Sequence, residues 1–345
     1  METMLTERQK NILRIIVGMY VKTVTPVGSR NISKFYQNKL SPATIRNEMH
    51  DLEERGLIKQ PHTSAGRIPT DDGYRYYVDH LMNEVVVPPH LTTLIAREFR
   101  DRIDNLETLI EKTSKILSSL SEQAGIVIFP MLEDLTVKRI ELTLLAKKHL
   151  LVVWVLSNGV VQNKVVDLNE EIPPLEIERV GRFLNNELSG LPMSDVMRHL
   201  EDKFVEAKDA LRSLSRNAHS IVRESFPVPG QRRLSLQGSR YILDQPEFQD
   251  WEKSKRLFKT LEEHKFLMDL VQSNLDDDGV RVQIGLEHHC QDIWDCSFVT
   301  ARYCVNKKTV GALGILGPRR MPYERVISLV DHMSRRFSEA LEQWF

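Results

Sequence analysis

Arg46 and Asn47 sit next to each other in the stretch Ser41 to Thr70, with Ala43 one helical turn ahead and His50 one turn behind. At about 100° per residue, a helix here puts Ala43, Asn47, His50 and Glu54 on one face, with Thr44 and Arg46 on its flanks. These side chains suit the reading of base edges. An Asn amide pairs with adenine, an Arg guanidinium takes guanine or a phosphate, and a small Ala can approach a thymine methyl. Glu54, at the far end, belongs away from phosphate. A second set follows at His62, Thr63, Ser64 and Arg67. Small polar residues beside a Gly let the backbone come close to phosphate, and Arg67 supplies charge for phosphate or a narrow minor groove.

The elements that must hold these residues can be read from their ends. Ser41 is a good N-cap, Pro42 suits the first helical position, and Gly56 follows the last helical residue, where a left-handed conformation is needed. The helix between them spans about four turns and packs through Ile45, Met49 and Leu52. Leu57 to Gln60 then reads as a strand, PHTSAG as a tight turn, and Arg67 and Ile68 as the return strand before Pro69. Upstream, Thr6-x-x-Gln9 is a capping box opening a helix with the stripe Ile12, Leu13, Ile16, Val17 and Tyr20. Pro26 and Gly28 break the chain before a short helix carrying Ile32 and Phe35. Helix, helix, turn, helix, wing is the winged helix-turn-helix order. Arg30 and Lys34, one turn apart on the second helix, suit either a phosphate contact or a solvated charged face. Periodicity and turn chemistry alone would also fit an ordinary solvated helix and hairpin.

Composition limits the scope of this reading. The 345 residues suit two or three domains. With 47 basic against 48 acidic residues the net charge is -1, so any nucleic-acid affinity must be local. The first 80 residues hold twelve basic and nine acidic side chains. So small an excess implies that tight binding needs two subunits on one duplex. No stretch approaches the apolar length of a membrane span, and the N-terminus does not read as a secretory signal, which predicts a cytoplasmic protein. Three cysteines, Cys290, Cys296 and Cys304, make no disulfide framework and fit a reducing compartment.

Other chemistry finds little support. His288, His289 and the three cysteines lack the paired spacing of a structural zinc site, so no metal is expected. Gly311, Gly314 and Gly317 are not followed by Gly-Lys-Ser/Thr and read as part of a strand. There is no Gly-x-Ser-x-Gly and no His-Glu-x-x-His, so neither catalytic residues nor a cofactor is expected.

PVGSRNISKFY from Pro26, SPATIRNEMHDLEERGLI from Ser41, PHTSAGRIPT from Pro61 and GYRYYVD from Gly73 together resemble the heat-inducible transcription repressor family HrcA, in order and spacing. GALGILGPRRMPYERVI from Gly311 resembles the same family's C-terminal end. The resemblance implies a dimeric repressor of bacterial chaperone operons that binds double-stranded DNA at an inverted repeat called CIRCE, with its activity supported by the GroE chaperonin, whose GroEL is the expected partner.

Beyond the wing, GYRYYVDHLM predicts a short helix packing through Tyr74, Tyr77, Val78 and Leu81 with Arg75 exposed, and VVVPP at Val85 to Pro89 predicts a domain boundary. An apolar 3.6 period from Leu91 to Ser121, including Ile103, predicts one long helix as an arm. Ala124–Pro130, Thr136–Leu145, His149–Leu156 and VVQNKVV read as strands, with Ser157-Asn158-Gly159 as a hairpin turn. Helical segments follow: Glu176 to Leu188, then Ser194 to Arg216 and on to Ser225. Strands resume after the acidic turn Asp276 to Asp278, and a helix from Tyr323 to Trp344 closes the chain. The expected architecture is α+β and multidomain. A winged helix occupies residues 1–84, and an antiparallel sheet domain is split between 90–171 and 276–345. A mostly helical insertion at 172–275 contains a short strand at RRLSLQG. The resemblance implies that the sheet domain is GAF-like and that the insertion dimerises. Phe226, Pro227, Leu234, Leu236, Tyr241, Ile242, Leu243, Phe248 and Trp251 form either a local core around the short strand or a dimer contact, the local core being preferred.

Three functions fit: the chaperone-operon repressor, a winged-helix regulator whose GAF-like domain senses a small molecule, and a winged-helix protein that binds protein. The third makes Arg46 and Asn47 dispensable; the second requires a ligand that raises the melting temperature.

Overall fold

In the computed structural model, residues 5–342 are described apart from 38, 64, 84–86, 101–105, 129–134, 158–160, 207–211, 227–233, 263–278, 289 and 306–307. The first module is built from α1 (Glu7–Thr23), α2 (Ser29–Phe35), α3 (Pro42–Glu54), β1 (Ile58–Lys59), β2 (Ile68–Pro69) and α4 (Asp71–His80). The capping box forms at α1: the Thr6 hydroxyl accepts the Gln9 N–H, and the Gln9 side chain accepts the Thr6 N–H. Ile12, Leu13, Ile16, Ile32, Ile45, Leu52 and Ile58 are fully buried and make the core of this module. Of the two apolar residues carried by α2, Ile32 is buried and Phe35 is 67% exposed.

α4 starts two residues earlier than its apolar pattern suggests. The Thr70 hydroxyl accepts the Gly73 N–H as an N-cap, which puts Asp71 and Asp72 in the first turn where the helix dipole favours acid. Arg75, expected in solvent, is drawn into a domain contact. It donates to Glu287 at 2.7 and 2.5 Å, to the Val282 carbonyl at 2.6 Å and to Asp79 at 3.2 Å. Hydrogen bonding to Glu287 raises its pKa further.

The single long helix expected from Leu91 is two helices, α5 (Pro89–Arg100) and α6 (Leu106–Ser121), with Ile103 outside the described residues. Lys112 donates to the Glu98 carbonyl at 2.9 Å. Fourteen residues along one straight helix would separate them by about 21 Å, so the chain must turn back. Apolar periodicity cannot register such a reversal, because both helices keep the same spacing.

The rest runs β3 (Ala124–Ile128), β4 (Val137–Ala146), β5 (His149–Leu156), β6 (Val161–Asp167), α7 (Pro174–Leu188), α8 (Met193–Glu206), α9 (Arg212–Ser225), β7 (Leu234–Gln237), α10 (Ser239–Leu243), α11 (Trp251–Glu262), β8 (Val280–Ile284), β9 (Cys296–Val305), β10 (Lys308–Pro318) and α12 (Tyr323–Glu342). The expected acidic turn at Asp276 to Asp278 and the Asn158-Gly159 step lie outside the described residues, although β5 and β6 pair as the hairpin reading requires. Among the described residues, ten strands form three antiparallel sheets: the β1–β2 wing, a central sheet in the order β7-β3-β10-β9-β8, and a separate sheet β4-β5-β6. Alternation along the central strands sends Val127, Val299, Tyr303, Leu313 and Ile315 into the main core, where α6 and α12 pack. Ile126, Ile128, Phe298, Ala312 and Leu316 face a second core with Ile242, Phe248 and Leu257.

This topology corrects the expected insertion. The strands from Thr136 to Asp167 do not join those after Val280; they pair with one another. The central sheet is interrupted between Ile128 and Leu234, not between Ile172 and Leu275, and the inserted unit is a three-stranded sheet packed against α7 and α9, with α8 against α9. The short strand at RRLSLQG becomes β7, which pairs with β3, while α10 and α11 belong to the central domain. Alternation reveals which face of a strand is buried but not which strand lies beside it. The aromatic cluster expected around β7 is divided accordingly. Phe226 stacks edge-on against Trp154 of the insertion at 5.7 Å, Leu234, Ile242 and Phe248 line the central sheet, and Trp251 is 75% exposed. Pro227 lies outside the described residues.

Trp154 is fully buried, and its indole N–H donates to Ser225. Trp154→Ala is expected to destabilise the chain by about 3–5 kcal/mol, seen as a lower urea midpoint.

Candidate nucleic-acid interface

α3 presents a sharply divided surface. Ile45, Met49 and Leu52 are 0–4% exposed, while Ala43, Arg46, Asn47, His50 and Glu54 are exposed. The Ser41 hydroxyl accepts the Thr44 N–H at 3.0 Å and lies 2.9 Å from the Thr44 hydroxyl, so both side chains organise the helix start. Gly56 has φ +74°, the left-handed residue expected after the helix.

Charge pairing separates the basic residues of the module into two groups. Arg8 holds Glu48 at 3.1 Å, Lys10 holds Glu7 at 2.8 Å, and Arg75 holds Glu287. Arg30, Lys34, Arg46 and Lys59 are exposed and form no ion pair among the described residues. Arg30 and Lys34 are thus placed for either of the roles their spacing suggests, a phosphate contact or a solvated charged face. His50 lies 3.4 Å from Glu54, which ties the end of the outer face to an acid.

The wing differs from its reading in one important respect. Arg67, expected to face phosphate, has an 18% exposed side chain and is clasped by Glu53 of α3 at 2.8 and 2.9 Å. Its backbone exchanges two 2.9 Å hydrogen bonds with Val27, which adds a third segment beside the wing. A Cβ on Gly66 would come within 2.4 Å of the Val27 carbonyl carbon, so this close approach needs a glycine. At the tip, His62 and Thr63 are exposed, and Ser64 lies outside the described residues. Sequence reading missed Glu53, Gln60 and Val27. The available signal was Glu53 itself, a carboxylate one turn beyond Met49 at the edge of the packed stripe, where a half-buried charge needs a partner.

Among the described residues, no group of three or more His, Cys, Asp or Glu side chains is placed to hold a metal, and no helix is long and apolar enough to cross a membrane. His289 of the weighed zinc set lies outside the described residues. Burial raises the Cys296 thiol pKa well above its usual range.

An exposed polar face on a capped helix, followed by a wing, defines a winged-helix DNA-binding transcription regulator. Residues 4–80 match the family described as winged helix-turn-helix transcription repressor, HrcA DNA-binding, and residues 107–327 match the HrcA protein C-terminal domain. The chain belongs to the HrcA family of transcription repressors, which are not enzymes. It is 40% identical to the heat-inducible transcription repressor HrcA of Pelotomaculum thermopropionicum, covering 98% of this chain and 97% of the relative. Identity to the protein of the same name from Shouchella clausii is 37%, covering 98% of each. A crystal structure of a hypothetical protein matches 99% of this chain and 100% of its own at TM-score 0.69 and 23% identity, a likeness of fold.

Asn47→Ala and Arg46→Ala are each expected to weaken binding to an operator duplex by about 1–3 kcal/mol, measured by fluorescence anisotropy. Neither should move the thermal melting midpoint, since both side chains lie off the packed stripe.

Proposed function

We propose that this chain works in the cytoplasm as a heat-responsive repressor of chaperone operons, binding the CIRCE inverted repeat as a homodimer with its activity maintained by the GroE chaperonin. The observation that carries this reading is the exposed Arg46–Asn47 pair on a helix whose opposite stripe is completely packed. Family membership supports the choice of operator and chaperonin.

Dimerisation follows from how few free cations one module offers. Two-fold symmetry would match an inverted repeat and double the phosphate contacts. The inserted sheet supplies a surface. Its inner side buries Leu150, Val152, Trp154 and Leu156, whereas Leu145, Val161 and Val165 on the other side are more than half exposed, beside partly exposed Leu151, Val153 and Val155. The register sets Arg139, Glu141, Thr143 and Asn163 among them, so the face is an apolar stripe with polar residues interspersed, of the kind that a second copy covers in a dimer.

Dependence on a chaperonin has a physical basis in the sheet. Val127 pairs with Leu313, and Ile128 with Leu234, across the whole insertion. Topologies this non-local fold slowly and leave apolar strands exposed meanwhile. Heat that fills the chaperonin with other clients would lower the fraction of repressor reaching the DNA-binding state, and repression would lift. The effector-sensing alternative would instead require a small molecule that raises the melting temperature.

Val153→Glu and Val165→Glu are expected to sediment as monomers with intact helix content and to lose cooperative operator binding. A dimer of unchanged affinity would place the interface elsewhere. Titration of refolded chain against excess operator should show a larger active fraction with chaperonin and ATP than without, at the same intrinsic affinity. A small molecule that raises the fraction where chaperonin does not would favour effector sensing.

A further inference from the structure

The wing of this module is fastened to the recognition helix through a single carboxylate. Glu53 Oε2 accepts from Arg67 Nε at 2.9 Å and Nη2 at 2.8 Å, while its Oε1 accepts the Gln60 N–H at 3.0 Å. Gln60 then reaches into the turn, its amide nitrogen donating to the Thr63 carbonyl at 2.9 Å and the Ala65 carbonyl at 3.0 Å. Gln60 lies on the outgoing side of the wing and Arg67 on the return side, so one helical side chain grips both limbs and, through Gln60, the tip. β1 and β2 supply only two paired positions, Ile58 with Pro69 and Lys59 with Ile68, too short a ladder to fix the wing alone.

We infer that Glu53 is a positioning residue for DNA recognition: with Arg67 and Gln60 it sets the wing at a fixed angle to α3, so that tip and helix meet one duplex in register. The inference rests on the DNA-reading role of α3. It assigns Arg67 a different task from the one its charge suggests. With its guanidinium neutralised by Glu53, Arg67 serves as a strut, and phosphate neutralisation falls to exposed cations such as Lys59, Arg30 and Lys34. The planar guanidinium is essential here, because two of its nitrogens share one carboxylate oxygen while the backbone stays in its bridge with Val27. A lysine ammonium would keep the charge and lose that geometry.

The test uses the full-length chain with two duplexes, an inverted-repeat operator and a scrambled sequence, titrated over a range of KCl concentrations. Glu53→Gln should keep the fold but release the Arg67 charge. The operator-to-scrambled affinity ratio should fall by about tenfold. The dependence of log K on log salt should steepen by up to about 0.9 per subunit as a new cation reaches phosphate. Arg67→Ala should lower the ratio similarly and leave the salt slope unchanged, and the double variant should be no worse than the worse single. If Glu53→Gln fails to fold, Arg67→Lys takes its place, with the same expected loss of ratio and steeper slope. A salt slope flattened by about 0.9 in Arg67→Ala would show that Arg67 contacts phosphate directly and overturn the inference. A wild-type ratio in folded Glu53→Gln would do the same. Asn47→Ala separates the two levels of the argument. If it loses operator affinity while Glu53→Gln does not, only the positioning role fails; if neither loses affinity, the base-reading role of α3 fails.

Discussion

A helix that reads base edges must stand clear of the domain that carries it, so all of its packing has to come from one stripe. α3 meets this constraint with three residues, Ile45, Met49 and Leu52, each 4% exposed or less. Its flanks are held by ion pairs to other elements: Glu48 to Arg8 on α1 and Glu53 to Arg67 beside the wing. The acidic residues of a DNA-binding helix would otherwise repel phosphate; here two of them are consumed in fixing the helix. The face with Arg46 and Asn47 is left to solvent.

α4 carries polar contacts between that module and the central domain. Asp71 accepts from Arg319 at 2.9 Å and from the Leu286 N–H at 3.0 Å, Arg75 reaches Glu287 and Val282, and the Tyr77 hydroxyl donates to Glu324 at 2.9 Å. Tyr74 and Tyr323 add an aromatic contact at 5.9 Å. α4 follows the wing directly, with Thr70 capping the helix and donating to the Gly56 carbonyl. The wing and the domain contact are therefore adjacent in the chain, and polar inter-domain contacts of this kind permit adjustment more readily than a hydrophobic core does.

Much of the first module was legible because its signals are local. Thr6-x-x-Gln9, Ser41-Pro42 and Gly56 mark helix ends through bonds made within a few residues, and the stripes of α1 and α3 depend only on 3.6 periodicity. What escaped the sequence depends on distant partners. Arg67 looks like a phosphate ligand until Glu53, fourteen residues earlier, is seen beside it, and Arg75 looks exposed until Glu287 arrives from across the chain. The reversal between α5 and α6 leaves apolar spacing intact. The strands of the insertion alternate as those of the central sheet do, so nothing local distinguishes β4 pairing with β5 from β4 pairing with a strand after Val280. The outer face of α3 was predicted from residue type and is exposed as that reading requires, but its base partners are a matter for DNA binding.

The most direct test is methylation interference with the wild-type chain on inverted-repeat DNA from upstream of chaperone genes. If two copies each lay α3 in a major groove, modified guanine N7 atoms should interfere in two symmetric patches, one per half-site, separated by about 34 Å or a multiple of that turn. Interference spread evenly along the duplex, or none at all, would contradict sequence reading by this helix.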